Sequence, residues 1–283
     1  MFSIGTFADW FGVGVMDGIK ASQECGASGV QLSAWETLHP NTITEKGISE
    51  LKARLKECSQ VTTALCGMLD GHGFERREDN EEKIDYIKKT ILLAQAVDCN
   101  IVTTHIGRIP EDKSSERYLS MLEACKEIGS YAASQDAYLA VETGPESVER
   151  LMSFIADCGV GIGVNYDPAN LIMVTNVDEV ASVYTAGNAI VHTHAKDGIM
   201  HLYRGPEEIY EIFATGGIEA LNMMHTYFEE TPLGNGSVRW DAYLAALSDI
   251  GYAGYLTIER ESGESGDDIR RAVEFLQEKL ALN

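Results

Sequence analysis

Apolar positions along the chain fall into two alternating patterns. Short, nearly continuous apolar runs read as strands: "FSIGTF" (2–7), "GVQLSA" (29–34), "VTTALCGML" (61–69), "NIVTTHIG" (100–107), "AYLAVETG" (137–144), "VGIGVNYD" (160–167), "AIVHTHAKD" (189–197) and "GYLTIERE" (254–261). Most lack a clean apolar–polar alternation, which fits parallel strands covered on both faces. Helical patterns lie between them. In "NEEKIDYIKKTILLAQAVD", Ile84, Ile87, Ile91, Leu92 and Ala94 recur at helical spacing. "SERYLSMLEACKEIGSYAAS", "PESVERLMSFIADC", "VRWDAYLAALSDIG" and the closing "DDIRRAVEFLQEKLAL" behave alike. Strands alternating with helices predict parallel β/α architecture, and eight strands is the number that closes a barrel. A single-domain (β/α)8 barrel over residues 1–283 is therefore expected. The competing open doubly wound sheet lacks a G-x-G-x-x-G turn after any strand.

One connection is long, 198–236. It leaves the C-terminal end of the seventh strand, on the face where barrel enzymes keep their chemistry. Its length suits a lid or an interface, and "YEIF" and "MMHTYF" offer apolar material for either.

Composition narrows the picture. Apolar residues at 45% and charged residues at 23% describe an ordinary globular chain with a core. Lys+Arg 22 against Asp+Glu 44 gives a formal charge of -22, which repels nucleic-acid phosphates and anionic membranes. No 18-residue apolar run marks a membrane span, and "MFSIGTFADW" lacks the basic and apolar regions of a signal peptide. The six cysteines are scattered with no C-x-x-C pair, so reduced thiols in a cytoplasmic protein are expected.

The strand ends carry the candidate chemistry. Strand four ends in His105, strand five in Glu142, strand six in Asp167, strand seven in His194 and strand eight in Glu259. Catalytic groups of such barrels come from these ends. Three carboxylates and an imidazole converging on one mouth repel one another unless a positive charge sits among them. A divalent cation held by mixed O and N ligands is the economical solution. Taken singly, Glu142 could face water and Asp167 could merely cap the helix that follows in "DPANL". His105 suits a place beside the substrate rather than on the metal.

In order, "VETG", "NYDPANL", "HAKD" and "PLGNGSVRWDAYLAAL…GYAGYLTIERE" resemble the xylose-isomerase-like superfamily of sugar isomerases and epimerases, and most closely its ketose 3-epimerase and inosose-processing branch. The resemblance implies one divalent metal, Mn²⁺ first with Mg²⁺ or Co²⁺ as alternatives, bound by Glu142, Asp167, His194 and Glu259. His194 heads the H-x-K-D motif. His192 shares its face but lies about 6.6 Å further down the strand, too low for the same shell, and is expected to orient a ligand. The resemblance also implies a homo-oligomer, a dimer or tetramer, acting on a small sugar. One departure stands out. The family often has Asp-x-x-His after strand six, whereas the fourth position here is Asn170, which cannot take up a proton near neutral pH.

The function so implied is metal-dependent epimerisation or isomerisation of a ketose or related keto-polyol. Glu142 and Glu259 would act as base and acid beside the carbonyl. His105, Asn170, Lys196, Arg204 and Arg260 are candidates to hold hydroxyls, with Trp10 and Trp35 as apolar cover. Lys196 and Arg260 follow ligand candidates along their strands, so an outward orientation competes with that role. No Gly-rich anion cradle or Arg cluster is present, which favours an unphosphorylated sugar. Three other readings compete. One is a metal-dependent enzyme cleaving a bond next to a keto-sugar carbon, as in C-glycoside cleavage. Another is an abasic-site nuclease, disfavoured by the charge and by Asn170. The last is a non-catalytic sugar-binding or assembly subunit.

Overall fold

A computed structural model of the chain describes residues 2–216, 220, 224–262 and 266–282. Eight parallel strands close a barrel: β1 (Ser3–Phe7), β2 (Gly29–Ser33), β3 (Val61–Cys66), β4 (Ile101–Thr104), β5 (Tyr138–Glu142), β6 (Ile162–Tyr166), β7 (Ile190–Ala195) and β10 (Tyr255–Ile258). The seam is made by β1 and β10, with Ser3 opposite Tyr255 and Thr6 opposite Ile258. All eight expected strands are present. The expected runs overshoot at β3 and β4, where Leu69 and His105 already lie in the loops above the sheet.

Helices cover the barrel: α1 (Val15–Glu24), α2 (Glu45–Glu57), α3 (Asn80–Ala96), α4 (Glu116–Ser134), α5 (Val148–Cys158), α6 (Glu179–Ala186), α7 (Pro206–Thr215), α8 (Trp240–Asp249) and α9 (Gly266–Ala281). Several start where sequence chemistry dictates. Ser115, Ser147 and Asp178 each accept a backbone N–H of the first turn. In α3, Ile87, Ile91 and Ala94 are buried as the spacing demands, but Leu92 is 47% exposed. One step along a helix turns the side chain by about 100°, so Leu92 cannot share the face of Ile91.

Strand parity divides the core in two. Val30, Leu32, Val102, Leu139, Val141, Val164, Leu256 and Ile258 face the helices and are buried. The inward positions are largely polar: Gln31, Thr103, Asn165, His192, His194 and Thr257, all buried. They satisfy one another across the barrel, Gln31 Nε2 donating to Thr103 Oγ1 at 3.1 Å and the Thr63 hydroxyl to Thr257 Oγ1 at 3.3 Å.

The 198–236 connection is not featureless. It holds most of β8 (Asp197–Met200), then α7 and β9 (Phe228–Thr231), and β8 pairs antiparallel with β9 outside the barrel, Asp197 opposite Thr231. Residues 217–219 and 221–223 of this connection, and so the first methionine of "MMHTYF", lie outside the described residues. No helix among the described residues is long and apolar enough to cross a membrane. The six cysteines are free.

Candidate metal centre

Four neighbouring strands deliver the centre. Glu142 closes β5, Asp167 follows β6, His194 sits near the end of β7, and Glu259 follows β10. All four are buried, and each offers a ligand atom lying within 4.8 Å of the others. Nδ1 of His194 lies 3.2 Å from Glu259 Oε2, 3.5 Å from Glu142 Oε1 and 3.7 Å from Asp167 Oδ2.

The surroundings fix each group. Gln31 Oε1, from β2, accepts the Nε2–H of His194 at 3.0 Å, which turns Nδ1 toward the carboxylates. The Phe7 ring packs beside the same imidazole, centroids 6.4 Å apart. His192 lies one inward step lower. Its Nδ1 donates to Asn165 Oδ1 at 2.8 Å and its Nε2 accepts from Thr257 Oγ1 at 3.0 Å. Asn165 Nδ2 in turn donates to Glu142 Oε2 at 3.1 Å. His192 therefore acts on the centre through Asn165, and burial holds its pKa well below the usual value, so it stays neutral.

Asn170 donates from Nδ2 to Glu142 Oε1 at 2.9 Å, while its backbone N–H donates to Asp167 Oδ1 at 3.0 Å. Two carboxamides thus brace Glu142. Lys196 braces Glu259, its Nζ 2.9 Å from Glu259 Oε2 and 2.7 Å from Glu261 Oε2.

Among the described residues, His194 Nδ1 and Asp167 Oδ2 in this shell find no hydrogen-bond partner despite burial. Unpaired buried acceptors facing one another are costly, and a cation between them removes the cost. Burial raises the Asp167 pKa against the neighbouring imidazole and Lys196. Burial alone would depress His194, yet the Glu259 and Glu142 carboxylates outweigh it and push the imidazole well above its usual value. The site is built for positive charge at Nδ1. An oxygen-rich set with one imidazole suits Mn²⁺, Mg²⁺ or Co²⁺ better than Zn²⁺.

A cavity of about 310 Å³ opens above the centre. Glu142, Asn170, Lys196 and His105 reach it from the strand ends. His105 is half exposed, with Nε2 3.5 Å from Glu142 Oε1. Tyr210 of α7 and Phe228 of β9, both from the 198–236 connection, also line it.

Other expected contacts lie elsewhere. Lys196 points inward, because it is two residues beyond His194 and parity puts both on one face. Arg260 falls on the opposite parity. It pairs with Glu230 at 2.7 Å and Asp268 at 3.3 Å, clamping the β8–β9 hairpin to the barrel instead of lining the cavity. Arg204 is exposed, lies over the Tyr227 ring and pairs with Glu208 at 3.2 Å. Trp35 is 52% exposed beside His39 on the rim. Trp10 packs edge-on against Phe7, and neither ring lines the cavity. Gln31 and Asn165 were not among the expected residues. Their signal was a lone amide inside each of two otherwise apolar strands, "GVQLSA" and "VGIGVNYD", since a buried amide demands partners.

A family model described as the xylose isomerase-like TIM barrel matches residues 19–279. The chain belongs to that family. A xylose isomerase domain protein from Planctomyces limnophilus is similar in structure, with TM-score 0.79 and 26% identity over 98% of this chain and 96% of that one. D-psicose 3-epimerase from Clostridium cellulolyticum H10, solved with D-tagatose, gives TM-score 0.71 and 15% identity over 99% of both chains. A xylose isomerase-like TIM barrel protein from Mycobacterium smegmatis, in complex with magnesium, gives 0.73 and 14% over 99% of this chain and 97% of that one. No curated protein matches the chain.

Proposed function

We propose that this member of the xylose isomerase-like barrel family is a divalent-metal-dependent sugar epimerase or isomerase, moving a proton on a carbon next to the carbonyl of a keto-sugar. The observation that carries the reading is the pair of unpartnered buried acceptors, His194 Nδ1 and Asp167 Oδ2, inside a shell completed by Glu142 and Glu259. These four residues would hold the ion, with Mn²⁺ the first metal to test and Mg²⁺ or Co²⁺ next. Bound there, such an ion would supply Lewis acidity toward a substrate carbonyl, which would make the adjacent C–H more acidic.

The chain's own residues do the rest. Glu142 takes the proton from one side of the substrate carbon, its carboxylate held in place by the amides of Asn165 and Asn170. Glu259, itself ionised, passes to the other side a proton drawn from the Lys196 ammonium beside it, which recovers one from solvent at the cavity, and this inverts the centre. Burial pushes the Glu259 carboxyl up, but His194 and Lys196 outweigh it and hold the group well below the usual carboxylate range. Asn170 has a defined part in this scheme as a brace for the base. Lys196 and His105 line the cavity, which supports a part for them in meeting substrate hydroxyls.

The test is hydrogen exchange in D2O with the metal-loaded protein, a panel of ketoses and inososes, and a chelated control. Metal-dependent loss of a C–H signal is expected. Glu142→Gln and Glu259→Gln should each slow it roughly a hundred- to ten-thousand-fold. Full exchange in either variant would remove that residue from its role. Release of a fragment in place of an epimer would move the chemistry to bond cleavage beside the carbonyl.

A further inference from the structure

The cavity walls carry information about the substrate that the metal shell does not. Four carboxylates face the cavity, from Asp70, Glu142, Glu230 and Glu261. Their cationic partners are committed. Asp70 holds Lys83 at 2.9 Å, Glu230 holds Arg260 at 2.7 Å, and Lys196 divides its ammonium between Glu259 and Glu261. Among the described residues, Lys196 and His105 are the only lining groups able to carry positive charge, and no arginine lines the space. Such a wall accepts hydrogen bonds from hydroxyls and repels a phosphate or carboxylate.

The remainder of the wall is apolar: Leu69, Met173, Val174 and Phe228, with the ring of Tyr210. Met173 and Val174 belong to the segment after β6, and Phe228 to the hairpin, so they come from chain outside the barrel strands. This wall is deliberately made. A Cβ on Gly198 would lie 2.4 Å from the Met173 sulfur, so the bare glycine is what lets that side chain lie against β8. A hydroxyl pressed on these side chains would lose its water without replacement, which disfavours a polar group there.

We propose that the cavity takes an uncharged keto-sugar carrying an apolar substituent, an aryl or alkyl aglycone, with the sugar at the strand ends and the substituent against Leu69, Met173, Val174 and Phe228. The assignment rests on the keto-sugar reading above and narrows its substrate class.

Calorimetry on the metal-loaded protein tests it with four probes whose ketone stands apart from the anomeric carbon: a free 3-keto-hexose, its methyl glycoside, its phenyl glycoside and its 6-phosphate ester. The expected order is phenyl, then methyl, then free sugar, with the phosphate ester weakest. The phenyl compound should bind about tenfold or more tighter than the free sugar. Val174→Thr preserves shape and adds one hydroxyl. It should cut the phenyl advantage at least about threefold and leave free-sugar affinity unchanged. Phe228→Leu, which keeps an apolar residue in β9, should reduce it less. Equal binding of phenyl glycoside and free sugar, tightest binding of the phosphate ester, or binding of none of the four overturns the assignment. Exchange in D2O on the same four probes judges the parent reading separately. Exchange without a phenyl preference sinks only the substituent, whereas a phenyl preference without exchange sinks only the chemistry.

Discussion

The floor and the roof of the cavity are built on different rules. On the floor, Glu142, Asp167, His194 and Glu259 stand on adjacent barrel strands, and Gln31, Asn165 and His192 hold them from below. Every position follows from strand parity, and the sheet leaves no freedom to re-aim a side chain without slipping a whole strand. The roof is chain inserted between β7 and α8, attached at a few points. Arg260 clamps the hairpin through Glu230, Arg108 meets Glu207 of α7 at 2.8 Å, and Asp197 ties the return to the barrel. On the function proposed above, the division gives proton chemistry to the rigid part and substrate choice to the part that can vary without disturbing it.

Asp197 is the joint between the two and should show the largest effect on stability. Its carboxylate accepts from the backbone N–H groups of Gly198, Gly234 and Val238 and from Trp240 Nε1, at 2.9 to 3.0 Å. The aspartate of "HAKD" thus anchors the roof. Asp197→Ala leaves buried donors unpaired and is expected to cost about 3 kcal/mol or more by urea unfolding. Metal affinity of the folded fraction should change little; an equal loss there would show that roof and floor are one unit.

The floor is probed next by Gln31→Met, which keeps the volume and removes the acceptor for His194 Nε2–H. Divalent affinity should fall by roughly ten- to a hundredfold, read by calorimetry, with the order of preference among sugars unchanged. A change in that order with full metal affinity would reverse the division of labour.

A third effect, on pH dependence, lies where the loops after β4 and β5 meet. Glu146, in the loop after β5, is buried and accepts from the Ile109 N–H at 3.1 Å, close to Arg108. Burial pushes its carboxyl from 4.5 up to about 8. In that window the folded protein keeps a proton that the unfolded chain has released. Stability should therefore fall as pH rises from about 5 toward 8, by up to roughly 1.4 kcal/mol per unit from this group. Glu146→Gln should flatten that slope, seen by comparing urea midpoints at pH 5.5 and 7.5. An unchanged slope would assign the pH dependence elsewhere.

Residue by residue, legibility followed locality. The eight strands could be read because each is a local apolar run, and the four converging groups because each ends such a run. Lys196 and Arg260 looked alike in sequence but differ by parity counted from the inward residue of each strand, which sends one into the cavity and the other to Glu230. Arg204 and Trp35 had only their residue type to recommend them, and the fold leaves both at the surface.

By itself, then, the sequence determined the barrel and the ring of carboxylates and imidazole at its mouth, because a period of two and a strand count are properties of consecutive residues. Only the tertiary structure decided what braces that ring and what covers it. Gln31 meets His194 across 163 positions of chain, and Phe228 reaches the cavity through an antiparallel hairpin that no strand count anticipates. Such contacts depend on which distant segments the closed barrel brings together, and that is settled by packing of the whole.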